Sequence, residues 1–504
     1  MILASKHGER ENAVIRADFT GGLNTALPVE WINENQLAEV INMEIEHESG
    51  KLRTVSGTID VLKTEEIYAA IYDEKNEVVL VLKQDRRVYI GDLEGHISNK
   101  SLGKLTGLLY PQSTSWETGV LIASGDKLQY FDGIYLNTIE TPKANEVYIR
   151  AGRVVITNET RIYYSGVGDE TFWQPDSNVE STSQWIEVGY KDGSEILGTI
   201  ALSNNIMVLK KNRKCYRLGG EYNEWSVVEM GSEIESKGRM SNCAVGDEVF
   251  VLNEKEAYMV TNTYYGNTKP EDIALQVHSE IDKLRKDSKI RNAAPLRQLW
   301  IIDDKENVLI YDLLVKAWYK RQFNAKIIDI FSSGNEVYVV KEDRISKLDR
   351  GTFKDNDEPL KWRFVSQRLA GQHEYLLKGT KVQVTALNDA AYSGQIMVGK
   401  VRIPLPIPNK AIKVYENKSK IYRNKTSLLK AGRNRGHLLP QIPNESVYKS
   451  EIELSENKKK IYGMRNTYEV ESRNVYRNHH LDVEGHGENG GFILQSIIMK
   501  IAEV

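Results

Sequence analysis

The densest group of metal-ligating side chains lies near the end of the chain, in residues 479–486 (HHLDVEGH). His480, Asp482, Glu484 and His486 alternate with Leu481, Val483 and Gly485. On a strand the four would share one face, and imidazole with carboxylate is a workable donor set for a borderline metal ion. The plainer reading, the wet face of a sandwich strand, is preferred, and no metal or other cofactor is expected. Residues 303–306 (DDKE) read as a hairpin turn rather than a calcium loop. A second kind of chemistry is electrostatic. Lys410, Lys413, Lys418, Lys420, Arg423, Lys425, Lys430, Arg433 and Arg435 fall within 26 residues, with Tyr415 and Tyr422 interleaved. Such a strip can touch nucleic-acid phosphates without reading sequence. It can equally dock on an acidic protein surface and set the register of the encounter. No nucleophile elbow, HExxH pair or phosphate-cradling glycine loop is present, so the motifs point to no catalytic activity.

The elements that carry these residues follow from composition. The chain has 504 residues, 40% apolar and 27% charged, which suits a protein that buries a core and excludes global disorder. Its net charge of −3 excludes a globally basic nucleic-acid coat. Cys215 and Cys243 cannot staple a chain of this size, which fits synthesis in a reducing compartment. No apolar run is long enough to span a membrane, and the charged first residues do not resemble a signal peptide. Tyrosine is abundant (26), proline scarce (12) and helical periodicity rare, which points to an all-β protein.

One pattern recurs: an alternating apolar run, a polar turn, then a second run carrying Tyr, Leu or Val. It occupies residues 76–93, 119–133, 153–165, 205–218, 247–260, 298–318 and 335–348. Each copy reads as a β-hairpin. The spacing, from the mid-thirties to the low fifties, matches propeller blades of four strands. A narrow twisted sheet cannot shield both its faces, and radial stacking hides each face against the next blade. Six or seven blades are expected, a split closing blade shifting the count by one. Unrelated hairpins in two sandwiches are the less favoured reading.

Two regions break the repeat. Residues 270–288 (PEDIALQVHSEIDKLRKDS) place Ile273, Val277, Ile281 and Leu284 at helical spacing, with Pro270 suited to a first turn, so an amphipathic helix inserted between blades is expected. After residue 355 the hairpins stop. Residues 355–400 and 466–504 look like strands of a C-terminal β-sandwich-like domain. Between them, residues 401–465 hold 15 Lys/Arg against 5 Glu, a net charge of +10, which leaves −3 − 10 = −13 on the rest. Alternating residues there suggest a basic inserted β-arm. The expected domains are therefore a strand and turn segment, 1–57, closing onto the propeller; the propeller, 58–354; and the C-terminal β domain interrupted by the arm.

The opening stretch is the most specific. Residues 18–24 (DFTGGLN) lead through Leu27 and Pro28 to 35–45 (NQLAEVINMEI) and 50–57 (GKLRTVSG). Gly21 and Gly22 would supply backbone freedom at a turn, and Asn24 a side chain able to bond its own backbone. This opening resembles that of the β-propeller head-closure, packaged-DNA stabilisation and tail nozzle proteins of short-tailed bacteriophages. Residues 163–173 (YYSGVGDETFW) are similar to that family's blade-end segment, and residues 477–497 to its closing strands. The 401–465 insertion departs from the pattern. Residues 165–173 also resemble the Asp-box turn of sialidase propellers, but the spacing differs and the motif occurs once, so a blade turn with a buried Trp is preferred.

The family resemblance implies a structural virion component: a homo-oligomeric ring, commonly of six copies, in the tail below the portal and adaptor. The ring continues the channel that retains and then passes the DNA genome, without sequence-specific contact or membrane insertion, and the protein is made in the host cytoplasm. A genome channel must not hold DNA tightly, so the basic arm is read first as a protein-docking or gating element and second as a DNA contact. The competing readings are a carbohydrate-binding or glycan-hydrolysing propeller, which needs paired carboxylates roughly 5–10 Å apart at its centre, and a cytosolic peptide-binding scaffold.

Overall fold

The computed structural model describes residues 11–367 apart from short breaks, the longest being 262–269, and beyond them strand backbone between 369 and 503 outside 405–463. The chain divides into two compact units, one of residues 58–313 and 322–348, the other of 1–57, 314–321 and 349–504.

The first unit is a β-propeller. Six four-stranded antiparallel sheets follow the chain order. The first blade is Ile67–Asp73, Val78–Lys83, Arg87–Gly91 and Gly103–Lys104; the second Gln112–Trp116, Gly119–Ala123, Gln129–Phe131 and Leu136–Thr138. The third is Glu146–Arg150, Arg153–Asn158, Arg161–Tyr164 and Gln184–Glu187; the fourth Ile196–Ala201, Ile206–Lys210, Cys215–Gly219 and Ser226–Met230. The fifth is Asn242–Val245, Glu248–Leu252, Ala257–Thr261 and Glu271–Asp272. The strands Lys289–Ala293, Gln298–Ile302 and Asn307–Asp312 come next in the ring. The last blade joins Ile327–Ser333, Glu336–Lys341 and Arg344–Asp349 to Gly57–Lys63, a strand from before the first blade. All seven hairpins expected from the repeat are the second and third strands of these sets. The first strand of each set touches the first strand of at least one neighbouring set, and these strands line the axis.

Burial explains why the sheets stand in a ring. The strand Val78–Lys83 is apolar at successive positions, so both its faces need cover. Val79 and Val81 pack with Val340 and Ile345 of the last blade, whereas Leu80 and Leu82 pack with Val120 and Ile122 of the second. The same division recurs at residues 154–156: Val154 and Ile156 face the second blade, Val155 the fourth. All seven of these first- and third-blade side chains are fully buried. At about 1.5–3 kcal/mol for each such burial, the interblade faces dominate the stability of the unit.

Closure uses polar contacts as well. Arg344 donates to Asp60 Oδ2 at 2.7 Å, and Ser346 donates to Asp60 Oδ1 at 2.9 Å, tying the N-terminal strand to the last blade. Burial opposes the Asp60 charge, but the hydrogen bonds from Ser346, Arg344 and Lys63 together outweigh it and hold the carboxyl below its usual range.

The expected helix over 270–288 is corrected. The only α-helical residues there are His278–Ile281. Glu271–Asp272 instead pair with Tyr258 and Met259 as the outer strand of the fifth blade, and Ile273 donates its amide to Ala257 O at 2.9 Å. The need for a fourth strand outranks local helical periodicity. The apolar spacing survives as an anchor, since Ala274, Val277 and Ile281 are fully buried.

The second unit is also all-β, with two principal sheets. In one, Gln36–Ile41, Lys361–Ser366, Leu481–Gly487, Tyr392–Val398 and Val401–Pro404 follow one another. The other runs Met43–Ile45, Leu52–Thr54, Phe492–Glu503, Leu377–Asn388 and Met464–Val470. Of the segment 1–57, expected to close onto the propeller, the described strands up to residue 54 pair here: Glu11–Arg16 and Leu52–Thr54 both add to Phe492–Glu503, and Gln36–Ile41 pairs with Lys361–Ser366. Edge strands left open would be sticky, and these N-terminal strands complete them. The chain passes from one sheet to the other at Asn42, which has φ 53° and donates its side-chain amide to Lys361 O at 2.7 Å.

The opening motif shapes this unit. Gly22 has φ +61°, and a Cβ there would lie 2.8 Å from both Ala317 Cβ and Trp318 O. Asn24 accepts from the amides of Ala26 (3.1 Å) and Leu27 (3.3 Å), as its turn role predicts, and donates to Gln36 Oε1 at 2.9 Å.

Two stability tests follow. Gly22→Ala is expected to lower the urea midpoint by about 1–3 kcal/mol equivalent, because it combines a left-handed φ with a backbone clash. Asp60→Ala is expected to cost about 1–3 kcal/mol at neutral pH. A carboxyl held below its usual range stabilises above about pH 4 and loses that contribution in acid, so variant and wild type should converge toward pH 2–3. Denaturation curves that stay parallel across that range would refute the Asp60 account.

Candidate functional site at the propeller axis

The residues singled out from sequence separate into three groups. The basic strip, Lys410, Lys413, Lys418, Lys420, Arg423, Lys425, Lys430, Arg433 and Arg435, lies outside the described residues, as does His480. Asp482, Glu484 and His486 lie on the strand Leu481–Gly487, so period two places them on one strand face. Their Cα partners are Val365 and Met397, Arg363 and Gln395, and Lys361 and Ser393, in that order. The two turn candidates are structural. Asp303 Oδ1 accepts the Arg285 amide at 2.6 Å and the Ser288 hydroxyl at 2.7 Å, and Asp304 pairs with Lys289 at 3.0 Å. In the blade turn, Asp169 Oδ1 accepts the Thr171 amide at 2.8 Å, Trp173 Nε1 donates to Glu170 O at 2.6 Å, and Trp173 packs on the core between the second and third blades.

The axis carries a polar cluster that no local motif announces. Arg239, in the connection leading into the fifth blade, donates to Asn145 O at 2.6 Å and to Tyr110 O. Asn145 precedes the third blade and Tyr110 the second, so a single guanidinium ties three blade connections together across the ring. Arg291 and Asp329, from the innermost strands of neighbouring sets, form a two-pronged pair at 2.7 and 3.0 Å. The Tyr110 hydroxyl donates to Asp329 Oδ2 at 2.7 Å. Lys289 Nζ lies 4.2 Å from the centre of the Tyr110 ring and donates to Ile328 O at 2.7 Å. Tyr68 flanks Tyr110 with ring centroids 5.4 Å apart. Thr199 of the fourth blade and Thr157 of the third donate to Glu146 Oε2, on the third blade, at 2.5 and 3.4 Å.

The electrostatics of the cluster are polarised. Burial works against the Asp329 charge, but Arg291 and Lys289, with the Arg291 and Tyr110 hydrogen bonds, reverse that and hold the carboxyl below its usual range. Burial raises the Glu146 carboxyl to about 7, against the pull of Arg239 and the two threonines. Burial likewise lowers Arg239, with Glu146 offsetting part of it. One carboxyl is thus firmly ionised and the other holds its proton to near neutrality, a division that acid–base catalysts use. Here both oxygens of Asp329 are engaged by Arg291 and Tyr110, and Glu146 is 2% exposed. The arrangement fixes the geometry of the axis. Its charged members sit singly on innermost strands or in blade connections, and only their position in the repeat could have flagged them.

No protein-family model and no curated protein matches the chain. Solved structures similar to it include BamB from Moraxella catarrhalis, at 10% identity and TM-score 0.38, covering 59% of this chain and 90% of that one. The N-terminal domain of Nup159 aligns at 8% identity and TM-score 0.40, covering 61% and 97%. The β-propeller domain of Cps50 (Swd1) from Myceliophteria thermophila aligns at 10% identity and TM-score 0.40, covering 58% and 98%. The propeller assignment of this chain stands on its own sheet topology.

Glu146 generates a pH prediction. A buried carboxyl with a raised pKa binds its proton more tightly in the folded state, so its contribution to stability declines as pH rises from about 4.5 to about 7 and then levels. Glu146→Gln keeps an acceptor for the threonines and removes the titration. The difference in unfolding free energy between variant and wild type should shift by on the order of 2–3 kcal/mol across that window, read by urea melts at several pH values. A pH-independent difference would refute it.

Proposed function

We propose that this chain is a structural virion protein of a short-tailed bacteriophage. In this reading it forms a homo-oligomeric ring, of six copies on the family pattern, at the tail hub, nozzle or head-closure position. The ring continues the portal channel and retains, then passes, the DNA genome. The protein is made in the host cytoplasm and ends in the tail of the virion. The observation that carries the reading is the opening motif in residues 18–57, which resembles that family. Its Gly22 and Asn24 serve tight geometric roles in the second unit, so the shared residues are ones that a shared architecture would require.

The axial cluster supports a non-catalytic role. Arg239 and the Arg291–Asp329 pair brace the blade connections, which suits a stiff spacer within a larger assembly. A glycan-hydrolysing propeller would draw on Glu146 and Asp329, but protein donors already engage both. The basic segment, at net +10 against −13 for the remainder, fits docking on another copy or a neighbouring tail protein before it fits DNA binding.

The test is assembly. The full chain, mixed with portal and adaptor proteins of the same phage, is expected to form closed rings in negative-stain images and discrete oligomers by native mass spectrometry. A chain that stays monomeric with every head, portal and tail component would overturn the reading.

A further inference from the structure

We propose that Glu256, Asp272 and His278 form a binding site for a divalent transition-metal ion of the zinc class at the outer edge of the fifth blade. The three come from different elements: Glu256 from the turn between the second and third strands, Asp272 from the outer strand, and His278 from the opening of the short helix. Their donor atoms lie within 4.8 Å of one another. Small rotations of the three side chains would bring them onto one ion at about 2.0–2.2 Å, leaving a fourth position for water. Two carboxylates and a neutral imidazole carry a formal charge of −2, which a dication balances.

Each ligand is already held. Asn253 donates to Glu256 Oε2 at 2.8 Å, and the Tyr258 hydroxyl donates to the same oxygen. Asn253 is 6% exposed, and its Oδ1 accepts the amides of Lys255 (2.7 Å) and Glu256 (2.6 Å), which fixes the turn. Asp272 Oδ1 accepts the Ala274 amide at 2.9 Å, leaving Oδ2 facing His278 Nε2 at 2.7 Å. Buried Val277 and Ile281 seat the helix that bears His278. Outer-shell contacts of this kind orient metal ligands. The side chains of Asp272 and His278 are 17% and 35% exposed, sheltered yet reachable from solvent.

The role is a staple. The outer strand here has two residues and the helix four, each too short to hold by itself. An ion shared by turn, strand and helix would lock all three, and the inference does not depend on the ring reading. The group Asp92, Glu94 and His96 differs. It lies within one five-residue turn, where Asp92 Oδ1 accepts the amides of Glu94 and His96, so local turn geometry accounts for it.

The full chain, stripped with chelator and dialysed, should take up one zinc equivalent by calorimetry that depends on this group, with a rise of a few degrees in Tm at saturation. Because His480 and His486 offer a competing donor set, the paired variant His480→Ala, His486→Ala serves as control and should keep that equivalent. His278→Ala should lose it, with at least a tenfold weaker affinity. Asp272→Asn and Glu256→Gln, which preserve size, should do the same if the histidine variant folds poorly. Cobalt substitution adds a spectroscopic readout: the wild type should show visible d–d bands of a nitrogen- and oxygen-ligated site that His278→Ala and the size-preserving Asp272→Asn and Glu256→Gln change or lose. No zinc uptake at micromolar concentration, or uptake unchanged in all three variants, would overturn the proposal.

Discussion

The structure depends on one constraint: strands apolar on both faces have to be covered twice. In a two-layer sandwich only one face of each sheet meets a partner. Strands such as Val78–Lys83 and Arg153–Asn158 bury side chains on both, so each sheet needs a neighbour on either side. A closed ring satisfies that demand for every member at once. The last blade can be completed only by a strand from outside the repeat, which is why Gly57–Lys63 is drawn into it. Lys341, fully buried with its Nζ 3.4 Å from the Thr58 hydroxyl, shows how completely that junction is enclosed.

Ring closure in turn creates the axis, where the first strands converge and apolar packing gives way to charge. Buried ions demand partners, and the partners here come from different blades. Arg291 with Asp329 links two innermost strands, whereas Arg239 binds backbone carbonyls of two distant connections. Main-chain acceptors are fixed by the fold, so a guanidinium that binds them resists displacement more than one held by flexible side chains. Glu146 is the soft member of the cluster: burial alone disfavours its charge, and three favourable neighbours do not fully restore it.

The second unit is organised by backbone conformation. Gly22 permits a close approach that no side chain would tolerate, and Asn42 turns the chain between sheets at positive φ. Asn24 and Gln36 satisfy one another while also capping local amides, so a few polar residues set where each N-terminal strand begins. This gives a physical content to the opening motif: its residues are the ones whose replacement would misdirect the chain.

What the sequence determined by itself was local. Alternation with a polar turn is written within about fifteen residues, so all seven hairpins and the all-β class could be read directly, as could the turn roles of Gly22 and Asn24. The tertiary structure decided whatever rests on partners remote in the chain. Residues 270–288 carry helical spacing, yet the fifth blade took Glu271–Asp272 as a strand because Tyr258 and Met259 offered ladder bonds there. The strands Glu11–Arg16 and Gln36–Ile41 each found a partner more than three hundred positions away. Tyr110 meets Asp329 across 219 positions and Arg239 across 129. No spacing rule links such residues, because only closure of the ring brings separate blade ends to one line.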